Sequence, residues 1–360
     1  MILVGIVLLM FLAGAAWLLR PVPAVDLPQL RPHPARTYRE ALDRLGELQR
    51  IEAGQRLNDQ CGLRLLAHAQ RTEHVVLLLH GYANCPEQLS RLAERFYAQG
   101  FNVLAPRMPH HGHADRLGDQ LASLSAEELV EHASTALDIA CGLGRRVTVF
   151  GFSAGGALGL WLAQNRPEVE TIVTLSAFLG VGLLPDWLNR PFTNAFLRLP
   201  NFFLWWDPHG KANSPYSMEY ASPRFSLRNL AQLLRIAGML ERQARRQPPH
   251  ARRAVFLVNQ ADPGVSAARQ LALARAWQAR LLDQAHLLDQ APHPTARHTG
   301  ALRVLVDCFT ASDQPLHDVV TPGMPGAPLE QVYERILRQV LAAHRHIDQA
   351  AARRAAEPPA

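Results

Sequence analysis

Lysine is almost missing from this 360-residue chain: Lys211 is the only one, and arginine supplies nearly all of the 37 basic side chains. Against 31 acidic residues the formal charge is +6. The basic residues are scattered through helical patterns and are not interleaved with aromatics in one patch, which argues against a nucleic-acid interface. A mildly basic protein near an anionic membrane fits that balance better. Cysteine is sparse. Cys61, Cys85, Cys141 and Cys308 are widely spaced and form no CxxC, which excludes a zinc ribbon and points away from a disulfide framework. They read as small buried hydrophobes. No internal repeat is visible, and nothing in the chain bears on oligomeric state.

At 48% hydrophobic and 19% charged, the chain can bury the core of one large domain. Residues 1–20 form a separate unit. Ile2 to Leu19 carries no charged side chain and reaches the lower end of a membrane-spanning helix before Arg20, Pro21 and Pro23 stop it. The expectation is a transmembrane anchor. A cleaved signal peptide, leaving a secreted enzyme, is the alternative, since Ala13 to Ala16 offers a cleavage site although no basic n-region precedes the run. Arg20, Arg31 and Arg36 follow the helix and nothing basic precedes it, so the positive-inside rule favours a cytoplasmic catalytic domain. Residues 21–37 read as a proline-rich tether, 38–345 as the folded domain, and 346–360 as a frayed tail.

Within the domain, Tyr38, Leu42, Leu45, Leu48 and Ile51 recur at helical spacing. Leu63 to Ala69 and Val75 to Leu79 resemble the two arms of a hairpin, the second apolar throughout as a strand buried on both faces requires. Helix and strand then alternate: a helix over 87–99, a strand over 101–105, and a helix from the capping box Ser125-Ala126-Glu127-Glu128 to Cys141. Strands over 147–150 and 171–175 flank a helix over 154–164. Later segments read as strand 254–258, helix 266–282, strand 302–306 and helix 329–343. This succession predicts an α/β fold with a mostly parallel central sheet and helices on both faces. It is interrupted by an aromatic and proline-rich insertion at about 178–246, read as a cap. No charged cluster stands out in the cap sequence, so a neutral, fairly apolar acyl ester is the default substrate.

Gly151-Phe152-Ser153-Ala154-Gly155 fits G-x-S-x-G, the strand-to-helix elbow that lifts a serine hydroxyl above a sheet. The flanking glycines suit a turn with no room for a Cβ. A serine becomes nucleophilic only when a base takes its proton and a third group orients the base. Asp262, in the turn after the strand 254–258, is the acid candidate. Three histidines follow in the required order: His293, His298 and His317. His317 is preferred because it alone lies beyond the last strand, where a loop can return over the sheet. Two backbone donors must face the developing oxyanion. Ala154, directly after the serine, and Tyr82, in the loop His80-Gly81-Tyr82, are the expected pair.

Together, LLLHGY at 77–82, GFSAGG at 151–156, the Asp262 turn and Leu316-His317-Asp318 resemble the α/β-hydrolase superfamily. Within it the chain is similar to the serine esterase and monoacylglycerol-lipase-like group. The resemblance implies Ser153 as nucleophile, His317 as base, Asp262 as its partner and the insertion as a cap over the site. The loop at His80-Gly81 lacks the run of glycines of the hormone-sensitive-lipase branch. No cofactor is expected. Trp205 and Trp206 in the cap are candidates for an acyl-binding wall. Acyl transfer on the same fold and a non-catalytic binding protein are the competing readings. The stretch from Pro109 to Arg116 contains an H-x-H-x-D fragment of metallo-hydrolase type, but Arg116 stands where a further histidine is needed, so no metal is expected.

Overall fold

The computed structural model describes residues 2–22, 31–206, 218–289, 303–309, 317–322 and 329–355. In chain order the elements are α1 (Ile2–Leu19), α2 (Tyr38–Ala53), β1 (Arg64–Leu66), β2 (Thr72–Leu79), α3 (Ser90–Ala98), β3 (Asn102–Ala105), α4 (Ala126–Leu143), β4 (Gly144–Phe152), α5 (Ala154–Asn165) and β5 (Val169–Leu175). The cap adds α6 (Asn189–Phe196), β6 (Phe203–Trp205), β7 (Arg224–Ser226) and α7 (Leu227–Ala244). The chain returns through β8 (Arg253–Asn259), α8 (Ala267–Asp289), β9 (Arg303–Phe309) and α9 (Leu329–Ala355).

Seven strands form one sheet in the order β1-β3-β2-β4-β5-β8-β9, parallel throughout except that β1 runs antiparallel to β3. The expected hairpin is therefore absent: β3 lies between β1 and β2. Strand β2 is buried from Val75 to Leu79, and its alternate residues feed two cores. Val75, Leu77 and Leu79 meet α4 and α5, together with side chains of α2, α7 and α8. Val76 and Leu78 meet α3 and α9 through Leu92, Phe96, Tyr333 and Ile336. Burial on both faces explains the unbroken apolar run.

Helix starts follow the predicted chemistry. Ser125 Oγ accepts the Glu128 N–H at 3.1 Å, although the Glu128 carboxylate turns to His110 and does not close the box. Thr37 caps α2 through the Glu40 N–H, and Ala41 and Leu45 are the buried residues of that helix. Leu42 and Ile51, expected on the packed face, are exposed, because the contact with α4 runs along the Ala41 side. The tether is partly pinned: the His33 and Ala35 N–H groups donate to the Asp138 side chain and carbonyl in α4. At the other end α9 continues to Ala355, past the boundary at 346.

Two expectations are corrected. Among the described residues no helix is long and apolar enough to cross a membrane. The apolar run from Ile2 to Leu19 forms the 18-residue α1. Its end is tied to the cap, where the Val22 N–H donates to Asn194 Oδ1 at 3.3 Å and Arg198 lies 6.0 Å from the Trp17 ring. The second correction is a disulfide between Cys61 and Cys85, whose Cα atoms are 5.3 Å apart. One lies in the loop before β1 and the other in the loop after β2, and the fold that brings these loops together cannot be read from the cysteine spacing. Closing a loop across 24 positions restricts the unfolded chain by about 3 kcal/mol. Replacing both cysteines by alanine is accordingly expected to lower the unfolding free energy by about that amount in denaturant titrations, with Cys141→Ala as the control in place of the pair.

Candidate active site

Parallel register brings the loops that follow β2, β4, β5 and β8 to one edge of the sheet. Leu79 lies beside Gly151, Phe152 beside Leu175, and Leu175 beside Leu257. The carboxyl ends of parallel strands are where side chains from separate loops can converge.

Ser153 occupies the turn between β4 and α5 with φ 52° and ψ −113°, a left-handed backbone that a side chain rarely adopts and the surroundings must enforce. Three bonds enforce it. The Ser153 N–H donates to the Leu175 carbonyl at 3.1 Å, while the Ser153 carbonyl accepts from Phe178 at 2.8 Å and from Ala157 at 3.2 Å. The glycines are needed for close approach. A Cβ on Gly155 would collide with the Leu79 carbonyl, and one on Gly151 with the Gly155 carbonyl.

The structure brings Ser153, His317 and Asp262 into one chain of hydrogen bonds. Ser153 Oγ is 3.0 Å from His317 Nε2, and His317 Nδ1 is 2.7 Å from Asp262 Oδ2. With Nδ1–H donating to the carboxylate, Nε2 is free to accept from the serine hydroxyl. The second carboxylate oxygen of Asp262 accepts the N–H groups of Gly264 and Val265 at 2.8 and 3.3 Å, so the buried acid is fixed at both ends. Burial draws the His317 pKa down, but the hydrogen bond and charge of Asp262, with Asp318 nearby, outweigh it and leave the imidazole above its ordinary 6.5. His293 and His298 lie outside the described residues.

Of the two expected oxyanion donors, Ala154 opens α5, where helix geometry leaves the first N–H without an intrahelical acceptor. Tyr82 is held by its side chain. Its hydroxyl accepts from the Ser226 N–H at 3.2 Å and lies 3.3 Å from the Ser226 carbonyl. The Ser222 N–H donates to Ala83 at 2.8 Å. The cap hairpin of β6 and β7 is thus fastened to the loop that carries Tyr82. Trp206 lies beside the Cys61–Cys85 cluster, its indole N–H donating to the Ser222 carbonyl at 2.6 Å. Trp205 ends β6, paired with Arg224.

The sequence pattern did not single out Gln88. Buried just after the oxyanion loop, its side chain accepts the Gly81 N–H at 2.7 Å and donates to Asp318 and Thr321, both at 3.1 Å. It therefore joins the loop before Tyr82 to the residue after His317. Only its place seven residues after Gly81 hinted at this, a signal shared by many polar residues. The histidine-rich stretch does structural work. His110 pairs with Glu128 at 3.0 Å, the His111 ring contacts the Pro109 carbonyl, and Arg116 donates to Ala221. His80 contacts the Gly81 carbonyl through Nδ1 and accepts the Met108 N–H. Burial pushes its pKa down to about 3, so it stays neutral. Among the described residues no group of three His, Cys, Asp or Glu side chains is placed to hold a metal ion.

Comparison with known proteins agrees with this architecture. The family model described as "alpha/beta hydrolase fold" matches residues 74–260. A thermostable monoacylglycerol lipase from Bacillus sp. (strain H-257) is 30% identical over 106 residues, which are 29% of this chain and 41% of that enzyme, so the chain matches under half of that relative's length. Among solved structures, one from the metagenome-derived lipolytic enzymes LipS and LipT is 17% identical with a TM-score of 0.56, covering 79% of this chain and 99% of its own. The Paleococcus ferrophilus monoacylglycerol lipase is 18% identical with a TM-score of 0.54, covering 78% and 98%. At these identities the structures share the fold.

Replacing Gln88 by leucine strands the Gly81 N–H and removes a donor from Asp318. We expect a loss of about 1–3 kcal/mol in stability, together with a fall in kcat that exceeds any rise in KM, because the displaced groups frame the reacting atoms. Thermal denaturation and steady-state kinetics on one ester check both.

Proposed function

The chain belongs to the α/β-hydrolase family, and from that premise we propose that it is a serine hydrolase of carboxylic esters working through an acyl-enzyme. The hydrogen-bond chain from Ser153 through His317 to buried Asp262 carries this reading. His317 Nε2 takes the Ser153 proton as Oγ attacks the ester carbonyl. The N–H groups of Tyr82 and Ala154 receive the oxyanion, and the imidazolium, steadied by Asp262, returns its proton to the departing alcohol. Water then repeats the sequence on the acyl-enzyme and regenerates the serine. Attack is favoured because the strained turn at Ser153 presents the hydroxyl before substrate arrives.

For the substrate, the resemblance to monoacylglycerol lipases and the aromatic cap support a neutral ester with an apolar acyl chain. Trp205 and Trp206 belong to the hairpin fastened above Tyr82, which suits a role in bounding that chain. As to location, the Cys61–Cys85 bond favours an oxidising compartment over the cytoplasmic side suggested by the arginines after α1. Alkylation of both cysteines in freshly isolated protein, without reductant, would count against that placement.

A fluorophosphonate probe tests the nucleophile. Wild type and Ser176→Ala are expected to label and Ser153→Ala not to; a wild type that stays unlabelled sinks the proposal. The pH profile tests the base. A histidine with a raised pKa stays protonated to higher pH and cannot act as base there, so kcat/KM should fall as pH drops through a midpoint above 6.5. Asp262→Asn should cut kcat by roughly 10⁴-fold, as loss of the orienting carboxylate does in serine hydrolases generally.

A further inference from the structure

The cap sequence shows no charged cluster, yet the fold makes one. A cavity of about 610 Å³ lies among α6, α7, the start of α8 and the residues just after α1, and none of the five catalytic candidates lines it. Arg190, Arg235, Arg242, Arg245 and Arg269 converge on it, against two carboxylates, Asp186 and Glu241. Two of the arginines are neutralised: Arg269 pairs with Glu241 at 2.6 Å, and Arg235 with Glu127 at 2.7 Å. Arg190, Arg242 and Arg245 make no side-chain hydrogen bond or ion pair with a described residue. Three guanidinium groups thus face one cavity against Asp186, the one lining carboxylate not paired with a described arginine, and an anion with several oxygens would balance the excess positive charge. The planar fork of arginine suits phosphate in particular.

A second cavity of about 350 Å³ shares Asp186, Trp187, Glu241, Arg245 and Arg269 with the first and adds Ala272, Leu273 and Ala276 as an apolar wall. Trp187 lines both cavities and is 72% exposed, leaving a large apolar side chain without protein cover. We propose that the paired cavities form a binding site, separate from the Ser153 centre, for an organic phosphate bearing an apolar substituent. The phosphate sits on Arg190, Arg242 and Arg245, and the apolar part lies against Trp187 and Leu273. This does not depend on the hydrolase reading.

The test is isothermal titration of the full chain with hexyl phosphate, inorganic phosphate and hexanol. Hexyl phosphate is expected to bind at least about tenfold more tightly than inorganic phosphate, with hexanol not detectably bound. The Arg242→Gln/Arg245→Gln double variant should weaken hexyl phosphate by about tenfold or more, and Arg190→Gln alone should weaken it measurably. Ester hydrolysis and melting temperature should be unchanged in both. Equal affinity for hexyl and inorganic phosphate would overturn the apolar half and leave a site for free phosphate. Hexyl phosphate binding that survives all three arginine substitutions, or no binding to wild type, would overturn the proposal.

Discussion

The close approach of α5 to the end of β2 is the constraint on which the candidate site depends. Gly155 lies against the Leu79 carbonyl, and Leu79 is also the last residue before the loop that offers the Tyr82 N–H. One contact therefore sets two distances together: the height of Ser153 above the sheet and the separation of the elbow from the oxyanion loop. The left-handed backbone at Ser153 costs of order 1–3 kcal/mol. Its N–H and carbonyl, bonded to Leu175 and Phe178, help to offset that cost. The strained residue also sits at the end of β4, inside a sheet with six parallel strands whose burial holds the turn in place.

Around that fixed point the remaining groups are tied to one another more than to the sheet. Gln88 links Gly81 to Asp318, beside His317. Tyr82 reaches Ser226 in the cap hairpin, and Ala83 receives Ser222. The disulfide anchors Cys85, three residues after Tyr82, to Cys61. A displacement of the cap is thereby coupled to the loop that would hold the oxyanion. Under the proposed mechanism, substrate bound at the cap and the oxyanion donors would share one mechanical path, the arrangement by which remote binding energy can assist a chemical step.

Much of this was legible in the residues, and the reasons differ from place to place. The strands were readable because burial on both faces leaves only apolar side chains, as at Val75 to Leu79. The elbow was readable because a sharp turn against neighbouring backbone admits only glycine at 151 and 155. Asp262 and His317 could be proposed because they must lie on loops after particular strands. The pairing of Cys61 with Cys85, the bridge through Gln88 and the convergence of arginines on the cap cavity were not legible, since each joins segments whose distance apart in sequence carries no geometric signal. The apolar run at the N-terminus was legible as a helix, since Ile2 to Leu19 forms α1, whereas its ties to the cap through Val22 and Trp17 were not.

By itself, then, the sequence determined the local choices. It set which runs are strands and helices, where a backbone must turn without a Cβ, and which side chains are chemically able to serve as nucleophile, acid and base. Tertiary structure decided among equals. It selected the partners of Cys85, Tyr82 and Gln88, placed His317 at 3.0 Å from Ser153, and gathered arginines of α6, α7 and its C-terminal end, and α8 around one cavity. Local preferences act over a few residues, and only the packing of the sheet, its helices and the cap brings distant residues within reach of a hydrogen bond or a charge.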